Sequence, residues 1–297
     1  QTYTGTSAPI SFNGLARHYD LRRGENVADI QVNLTDKGER KPQSHDIAKG
    51  LRPGIQAIAR KYGANVKVVE VPPGPPVLST LVAEIYGPDY NNQVKIARQV
   101  KELFLQTPGV VDVDWMIEDD QSQYAFNVDK EKAMLRGVAP AQVVGALQTA
   151  LSGQVAGMVH QPASSSPVPV KLQLADADKT NINDLQSLKI LNQRGEMVPI
   201  GDLVQITKTF KDKSINRKNQ KRVVYVTGDM AGKLESPVYA MSSISDKLSS
   251  VKLPAGYELK EEYKSQPESE KEFTLKWDGE WQITYEVFRD LGIAFLI

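Results

Sequence analysis

Cysteine is absent from all 297 residues. That excludes disulfides, thiolate-held metals and a cysteine nucleophile, while leaving the redox compartment open. Neither sign of charge is in excess, with 36 Lys and Arg against 36 Asp and Glu, so no overall field argues for nucleic acid as a partner. Histidine is scarce. His18, His45 and His160 lie far apart, and HExxH, GxSxG, a P-loop and a GxGxxG after a strand are all missing. An enzymatic reading starves for residues: no catalytic residue and no cofactor are expected. Glu118, Asp119 and Asp120 are adjacent, so on an extended segment their side chains diverge and read as a solvated turn. The six methionines, Met116, Met134, Met158, Met197, Met230 and Met241, include no pair at helix-turn spacing; they fit packing better than a soft-metal site, and no metal site is expected. Long apolar runs are also lacking. The longest, residues 291–297, is far short of the roughly 20 residues of a membrane helix, and no signal peptide opens the chain.

What the chain does have is a seam. Residues 66–86, VKVVEVPPGPPVLSTLVAEIY, hold two near-alternating β runs around a proline-glycine hinge. Val66, Val68 and Val71 interleave with Lys67 and Glu70; Leu81, Ala83 and Ile85 alternate with Glu84, one face for a core and one for solvent. Pro72, Pro73, Pro75 and Pro76 remove backbone donors, so the segment between is a semi-rigid loop.

The length predicts two or three compact units. Residues 26–34 alternate as a strand. Ser44 is expected to cap a helix whose Ile47, Leu51, Ile55 and Ile58 form an amphipathic stripe, with a kink at Pro53-Gly54 and an end at Gly63. With 66–71 this gives β-β-α-β, one strand and one helix short of a ferredoxin-like unit. A second module runs from Leu81 through a helix over about 89–105 to a strand at 110–115. Its design recurs at 223–263, with a strand at 223–227, a helix opening at Ser236-Pro237 and a strand at 257–263, so the two halves predict one split sheet with an inserted domain between them. The insert, about 118–222, reads as a strand at 124–128, a helix from Pro140, a Pro/Ser connector at 161–169, strands at 170–174, 187–191 and 197–207, and a hairpin turn at 193–196. It closes on residues 208–222, seven Lys or Arg against one Asp. Trp277, Trp281, Tyr285 and Phe288 recur at spacings of four, four and three, which predicts a helix over 277–297 suited to a membrane interface, and the uncapped apolar end reads as a cut from something larger.

Several segments together resemble the second large periplasmic loop of the resistance-nodulation-division (RND) efflux permeases: NGLARHY, NVADIQVNL, SHDIAK, VEVPPGPP, VLSTLVAEIYGPD, TPGVVDVDW, FNVDKEKAMLRGV, MVPIGDL and WDGEWQITYEVFRDLGIAF. The resemblance implies an α+β fold of ferredoxin-like β-α-β porter modules with an inserted mixed docking domain. It implies a first porter subdomain at 1–77, a second at 78–117 with 223–266, a docking insert at 118–222, and a helical segment at 267–297 leading into a membrane helix. The function it implies is proton-driven export of small molecules through a tripartite envelope complex. The protein would work as a homotrimer with a periplasmic adaptor and an outer-membrane channel, at the periplasmic face of a Gram-negative inner membrane and membrane-anchored in the full protein. Proton-relay residues would lie outside this chain.

The substrate path implied is the loop and cleft of Pro72, Pro73, Pro75, Pro76, Val77, Leu78, Leu81, Ala83 and Ile85. Its four prolines make the loop stiffer and less aromatic than the phenylalanine-rich multidrug version. Partner contacts are expected on the insert at Arg194, Gly195, Lys211, Lys213, Arg217 and Lys218, whose hydrated heads suit a charged rim better than an apolar cleft. The alternative is a free-standing periplasmic solute-binding or assembly module with the same units, which a complete first βα unit and a polar C-terminus would favour.

Overall fold

The computed structural model describes residues 1–9, 12–70, 77–160, 165–232 and 236–296. The chain forms two compact units, one of residues 1–118 with 213–297 and one of residues 119–212. The larger opens on β1 (Thr2–Thr4), which pairs antiparallel with β2 (Ala28–Ile30), and the short α1 (Phe12–Ala16) lies between them in sequence. Helix α2 (Ser44–Lys61) is capped by Gln43 rather than Ser44; the Gln43 N–H donates to the Asp46 carboxylate. Gly63, left-handed at φ 62°, follows its end. The stripe of α2 is only partly covered, since Leu51 and Ile58 are exposed.

Residues 66–70 carry no ladder, contrary to the expected strand. Side chains take its backbone groups instead. Gln56 donates to the Val66 carbonyl at 2.6 Å, Arg52 to the Val68 carbonyl at 3.1 Å, and the Val68 N–H donates to Asp112 at 3.1 Å. β3 (Leu81–Tyr86), α3 (Tyr90–Leu105) and β4 (Val110–Trp115) follow, α3 capped by Asp89, which accepts from the Asn92 N–H at 2.8 Å.

The insert comprises β5 (Ser122–Val128), α4 (Lys130–Leu135), α5 (Pro140–Leu151), β6 (Gln154–Val159), β7 (Val168–Leu172), α6 (Ile182–Ser187), β8 (Lys189–Leu191), β9 (Met197–Pro199) and β10 (Val204–Phe210). β5 and β10 pair antiparallel along their whole length. A small core of Val138, Val143, Leu147, Ile190, Ile200 and Leu203 sits inside. β6, absent from the sequence reading, pairs with β7 as an exposed hairpin; its Gly-Met-Val sequence lacks the alternation that would have marked it. Residues 161–164 of the connector lie outside the described residues.

The chain returns through β11 (Arg217–Lys218) and β12 (Lys221–Arg222), joined by Asn219 and Gln220, both left-handed at φ 49° and 66°. Two successive positive φ values fit a tight hairpin turn that follows strand twist. β13 (Val224–Met230), α7 (Pro237–Ser245), β14 (Leu259–Glu262), β15 (Phe273–Gly279) and α8 (Glu280–Leu296) complete it.

These pieces build one five-stranded sheet, ordered β14-β15-β3-β13-β4. The four expected strands share it, and β3 and β4 run parallel with antiparallel β13 between them, a split β-α-β arrangement. The fifth strand, β15, corrects the sequence reading: Trp277 belongs to a strand, not to a helix. Phe273, Leu275 and Trp277 alternate into the core, and β15 pairs with β3 over six residue pairs, which outweighs the helical spacing of the aromatics. Trp277 stacks on Phe104 at 6.1 Å between ring centres. Gly279, at φ 82°, turns the chain into α8; a Cβ there would lie 2.6 Å from the Ser79 carbonyl oxygen. No α8 residue is buried, and Phe288 is 71% exposed. Among the described residues no helix is long and apolar enough to cross a membrane.

Candidate functional site

One face of the sheet is ordinary. Leu81, Ala83, Ile85, Val226, Leu275 and Trp277 pack against Ile96, Val100 and Phe104 of α3 and Met241 and Ile244 of α7. The other carries Glu84 and Tyr86 on β3, Tyr225, Thr227 and Asp229 on β13, Asp114 on β4, and Thr274, Lys276 and Asp278 on β15. Strand alternation reads that second face as solvent-facing. It is covered: Glu84, Tyr86, Thr227, Thr274 and Lys276 are all buried. Charges under cover must be paired or hydrogen-bonded, and here they form two clusters.

The first cluster joins residues 17–68 to β4 and β13. Asp229 accepts from Arg17 Nη1 at 2.7 Å, Ser79 Oγ at 2.8 Å, and the Thr80 N–H and Oγ1, each at 3.0 Å. Asp114 pairs with Lys67 and with Arg22 at 3.3 Å. Asp112 has left-handed backbone at φ 52°, beside a register shift between β4 and β13, and its carboxylate takes Arg52 and the Val68 N–H. The bases all come from residues 17–67 and the acids all from the sheet. Burial pushes the Asp229 carboxyl up, but Arg17 and the Thr80 and Ser79 donors outweigh it and hold it below the usual range. Asp114 ends low for the same reason, through Lys67 and Arg22. Burial pulls the Lys67 ammonium down, and Asp114 offsets this only in part. The seam is shut. Its cavity, lined by Arg17, Tyr19, Lys67, Leu78, Ser79 and Asp229 among others, is about 10 Å³, room for one water, against several hundred Å³ for a drug-sized ligand.

The second cluster centres on Glu84, which lies across from Tyr225 on β13 and Lys276 on β15. Lys218 Nζ, from the β11–β12 hairpin, stands 2.5 Å from Glu84 Oε1 and 2.5 Å from Asp278 Oδ2. Lys276 Nζ is 3.8 Å from Glu84 and 3.9 Å from Asp278. The Tyr86 hydroxyl donates to Glu84 at 2.8 Å and lies 3.1 Å from the Gln266 amide. Burial above all, then the adjacent Asp278, pushes Glu84 up to about 7. Asp278 is buried too, but hydrogen bonds from Glu84 and Lys218 bring it low. Burial pulls Lys218 down, yet the two carboxylates raise it overall, so it stays charged. Burial and the neighbouring Glu84 push the Tyr225 hydroxyl up to about 12.

The expected site residues fall differently. Pro72, Pro73, Pro75 and Pro76 lie outside the described residues. Val77 and Leu78 are half-buried, and Leu78 lines the seam. Leu81, Ala83 and Ile85 are fully buried against the helices, because alternation along β3 points them away from the seam. Arg194 and Gly195 are exposed at the β8–β9 turn, where Asn192 Oδ1 accepts from the Arg194 and Glu196 N–H groups at 2.9 and 2.8 Å. Lys211 is exposed on the insert. Lys213, Arg217 and Lys218 belong to the larger unit, not to the insert. Lys218 is no rim residue at all, since its ammonium turns inward to two carboxylates. Sequence reasoning passed over Glu84, Asp278, Lys276, Asp229 and Arg17. For the four strand residues the available signal was a polar or charged side chain at every second position of strands whose other positions are apolar; Arg17, just past α1, had none.

Comparisons with known proteins define the class. The AcrB/AcrD/AcrF family matches residues 5–277, and the chain belongs to that family, the RND permeases. Among its relatives is the nickel and cobalt resistance protein CnrA of Cupriavidus metallidurans, 23% identical over 61% of this chain and 17% of that protein. Another is the cobalt-zinc-cadmium resistance protein CzcA of the same organism, also 23% identical over 61% of this chain and 17% of its own length. The swarming motility protein SwrC of Bacillus subtilis is 21% identical over 49% of this chain and 14% of its own. The chain thus spans about a sixth of the length of the metal-resistance relatives. A crystal structure of a heavy metal efflux pump superposes with a TM-score of 0.63 at 16% identity, covering 89% of this chain and 26% of that one, a likeness of fold.

Proposed function

We propose that this chain is the periplasmic porter and docking portion of a proton-driven RND efflux permease. The observation that carries the reading is the family match through residues 5–277, which runs across both compact units. The larger unit is read as porter subdomains and the insert, residues 119–212, as the docking domain. In this reading the permease is a trimer that works with a periplasmic adaptor and an outer-membrane channel, and proton antiport resides in membrane segments beyond this chain. The seam at Arg17, Asp229 and Leu78 opens and shuts on the cargo route. Its walls are ionic, so its movement is a rigid-body exchange of salt bridges, of the kind domain closure uses. Cargo is small. The names of CnrA and CzcA favour divalent metal cations as the class to test first, with amphiphilic organic molecules second.

The test uses the intact permease with its adaptor and channel in cells lacking their own RND pumps. Resistance to nickel, cobalt, zinc and cadmium salts and to amphiphilic dyes is scored for the native protein and for Asp229→Asn. Loss of export with assembly retained supports the reading; undiminished export by Asp229→Asn contradicts it. Arg194→Glu with Lys211→Glu is expected to weaken adaptor or channel association in a salt-dependent way, because both side chains are exposed on the insert. Lys218 is left out of that set, since its reversal would bury a third acid beside Glu84 and Asp278.

A further inference from the structure

The insert carries an open sheet edge. β5 pairs with β10 alone, antiparallel and without a bulge, over residues 122–128. The bonds flanking this ladder fix which groups face which way: the Lys211 N–H donates to the Gln121 carbonyl at 2.8 Å, and the Asp129 N–H to the Leu203 carbonyl at 2.9 Å. Odd-numbered residues of β5 therefore bond to β10. The backbone groups of Ser122, Tyr124, Phe126 and Val128 point to the other edge, where they meet no partner among the described residues. Exposed edges are normally guarded by a charge, a proline or a bulge, and the β5 sequence Ser-Gln-Tyr-Ala-Phe-Asn-Val has none of the three.

A cleft of about 610 Å³ lies beside Tyr124 and Phe126, within the range of roughly 300–1,000 Å³ of ligand sites. Leu151 and Leu185 extend its apolar wall, and residues 179–183 line it too. Among the described residues no hydrogen bond joins 179–185 to β5, so this segment stands beside the edge without closing it. Asn181 Oδ1 accepts the Asn183 N–H at 3.0 Å, which leaves the Asn181 NH2 group and the Asn183 side-chain amide without partners among the described residues. The Lys179 ammonium is held by Asp176 at 3.0 Å, so no unpaired charge lines the cleft.

We propose that this cleft takes an extended segment of a partner polypeptide, which adds to the free edge of β5 as a third strand. Backbone bonds to Tyr124 and Phe126 set its register. Alternate side chains of a strand share a face, so a segment apolar at every second position meets the wall of Phe126, Leu151 and Leu185, and the two asparagine amides answer its polar groups. A second copy of this chain would have to bring its whole β5–β10 sheet against residues 179–185; a single strand needs no such room. The inference uses the geometry of the insert alone and stands independently of the transport reading.

The test titrates the 297-residue chain, labelled with nitrogen-15, with a panel of acetylated and amidated pentapeptides in which Val, Leu, Ile or Phe alternates with Thr. The Tyr124 and Phe126 amides are expected to shift and to gain protection from exchange, well beyond those of Gln123 and Ala125, which already bond to β10. N-methylation of the edge-facing amides of the best peptide should weaken its binding roughly tenfold. Tyr124→Pro removes an outward N–H and no ladder bond, so it should bind several-fold more weakly than Tyr124→Ala. No response to any peptide, or equal binding of the N-methylated one, overturns the proposal whether or not the variants fold. Equal binding by Tyr124→Pro and Tyr124→Ala overturns the added strand in favour of an apolar pocket. Shifts of the same amides with protein concentration, without peptide and with a dimer in sedimentation, would give the edge to a second copy and overturn the partner segment.

Discussion

The two ionic clusters share one face of one sheet, yet their central carboxylates end in opposite states. Asp229 has Arg17 and three further donors to itself, so a buried charge is fully answered and its proton is held off. Glu84 shares Lys218 with Asp278, and desolvation outweighs what remains, so its proton is kept to about 7. What separates them is the deeper burial of Glu84, the acid Asp278 beside it, and the smaller number of donors it has to itself. One cluster is a fixed fastening between residues 17–67 and the sheet; the other responds to protons at near-neutral pH.

The contrast can be broken most forcefully at Asp229. Asp229→Ala leaves Arg17 buried without its partner and is expected to cost about 3–5 kcal/mol in urea unfolding, whereas Glu84→Gln at about pH 6 costs little. Equal losses would erase the difference between the clusters. Next in size is the pH profile. Because the folded pKa of Glu84 is raised, its contribution is present at low pH and lost as pH rises through about 7, so stability should drop by about 1.4 kcal/mol between about pH 6 and about pH 8.5, and Glu84→Gln should abolish the drop. Asp229 and Asp114 have depressed values, so their contribution is present above the ordinary carboxylate range and disappears as pH falls through their folded values. Acid unfolding should therefore persist in Glu84→Gln.

Outside both clusters, Asp89→Ala removes the α3 cap and should lower stability by about 1 kcal/mol, which calibrates the pH-dependent losses. The smallest expected effect distinguishes two lysines of the same basic run. Lys218→Met removes a charge that lowers the Glu84 pKa and should move the alkaline loss to higher pH; Lys211→Met, on the exposed insert, should leave the profile where it was.

The sheet was legible in the sequence because β3, β4, β13 and β14 announce themselves by alternation and by the helices between them. β15 was legible too, since Phe273, Leu275 and Trp277 alternate with Thr274, Lys276 and Asp278, but the four-residue spacing of Trp277 and Trp281 competes with that signal and pairing with β3 decides it. The cover on the polar face was not legible. Alternation says which residues share a face and nothing about what lies over it, and Arg17, Lys67 and Lys218 reach that face from segments outside the sheet. For the same reason the basic run at 208–222 read as uniformly hydrated, although Lys218 turns to Glu84 and Asp278 and Arg222 to the Pro88 carbonyl and Glu270. Residues 66–70 alternate as a strand should, but no partner strand adjoins them among the described residues, and side chains of α2 take up their carbonyls instead.

The most direct measurement of the difference between the clusters is a carbon-13 titration of the side-chain carboxyls in the 297-residue chain, assigned through Glu84→Gln and Asp229→Asn. Glu84 should titrate near 7, with Asp278, Asp229 and Asp114 all below the ordinary range for aspartate. A Glu84 midpoint in the ordinary glutamate range, level with the exposed carboxylates, would contradict it.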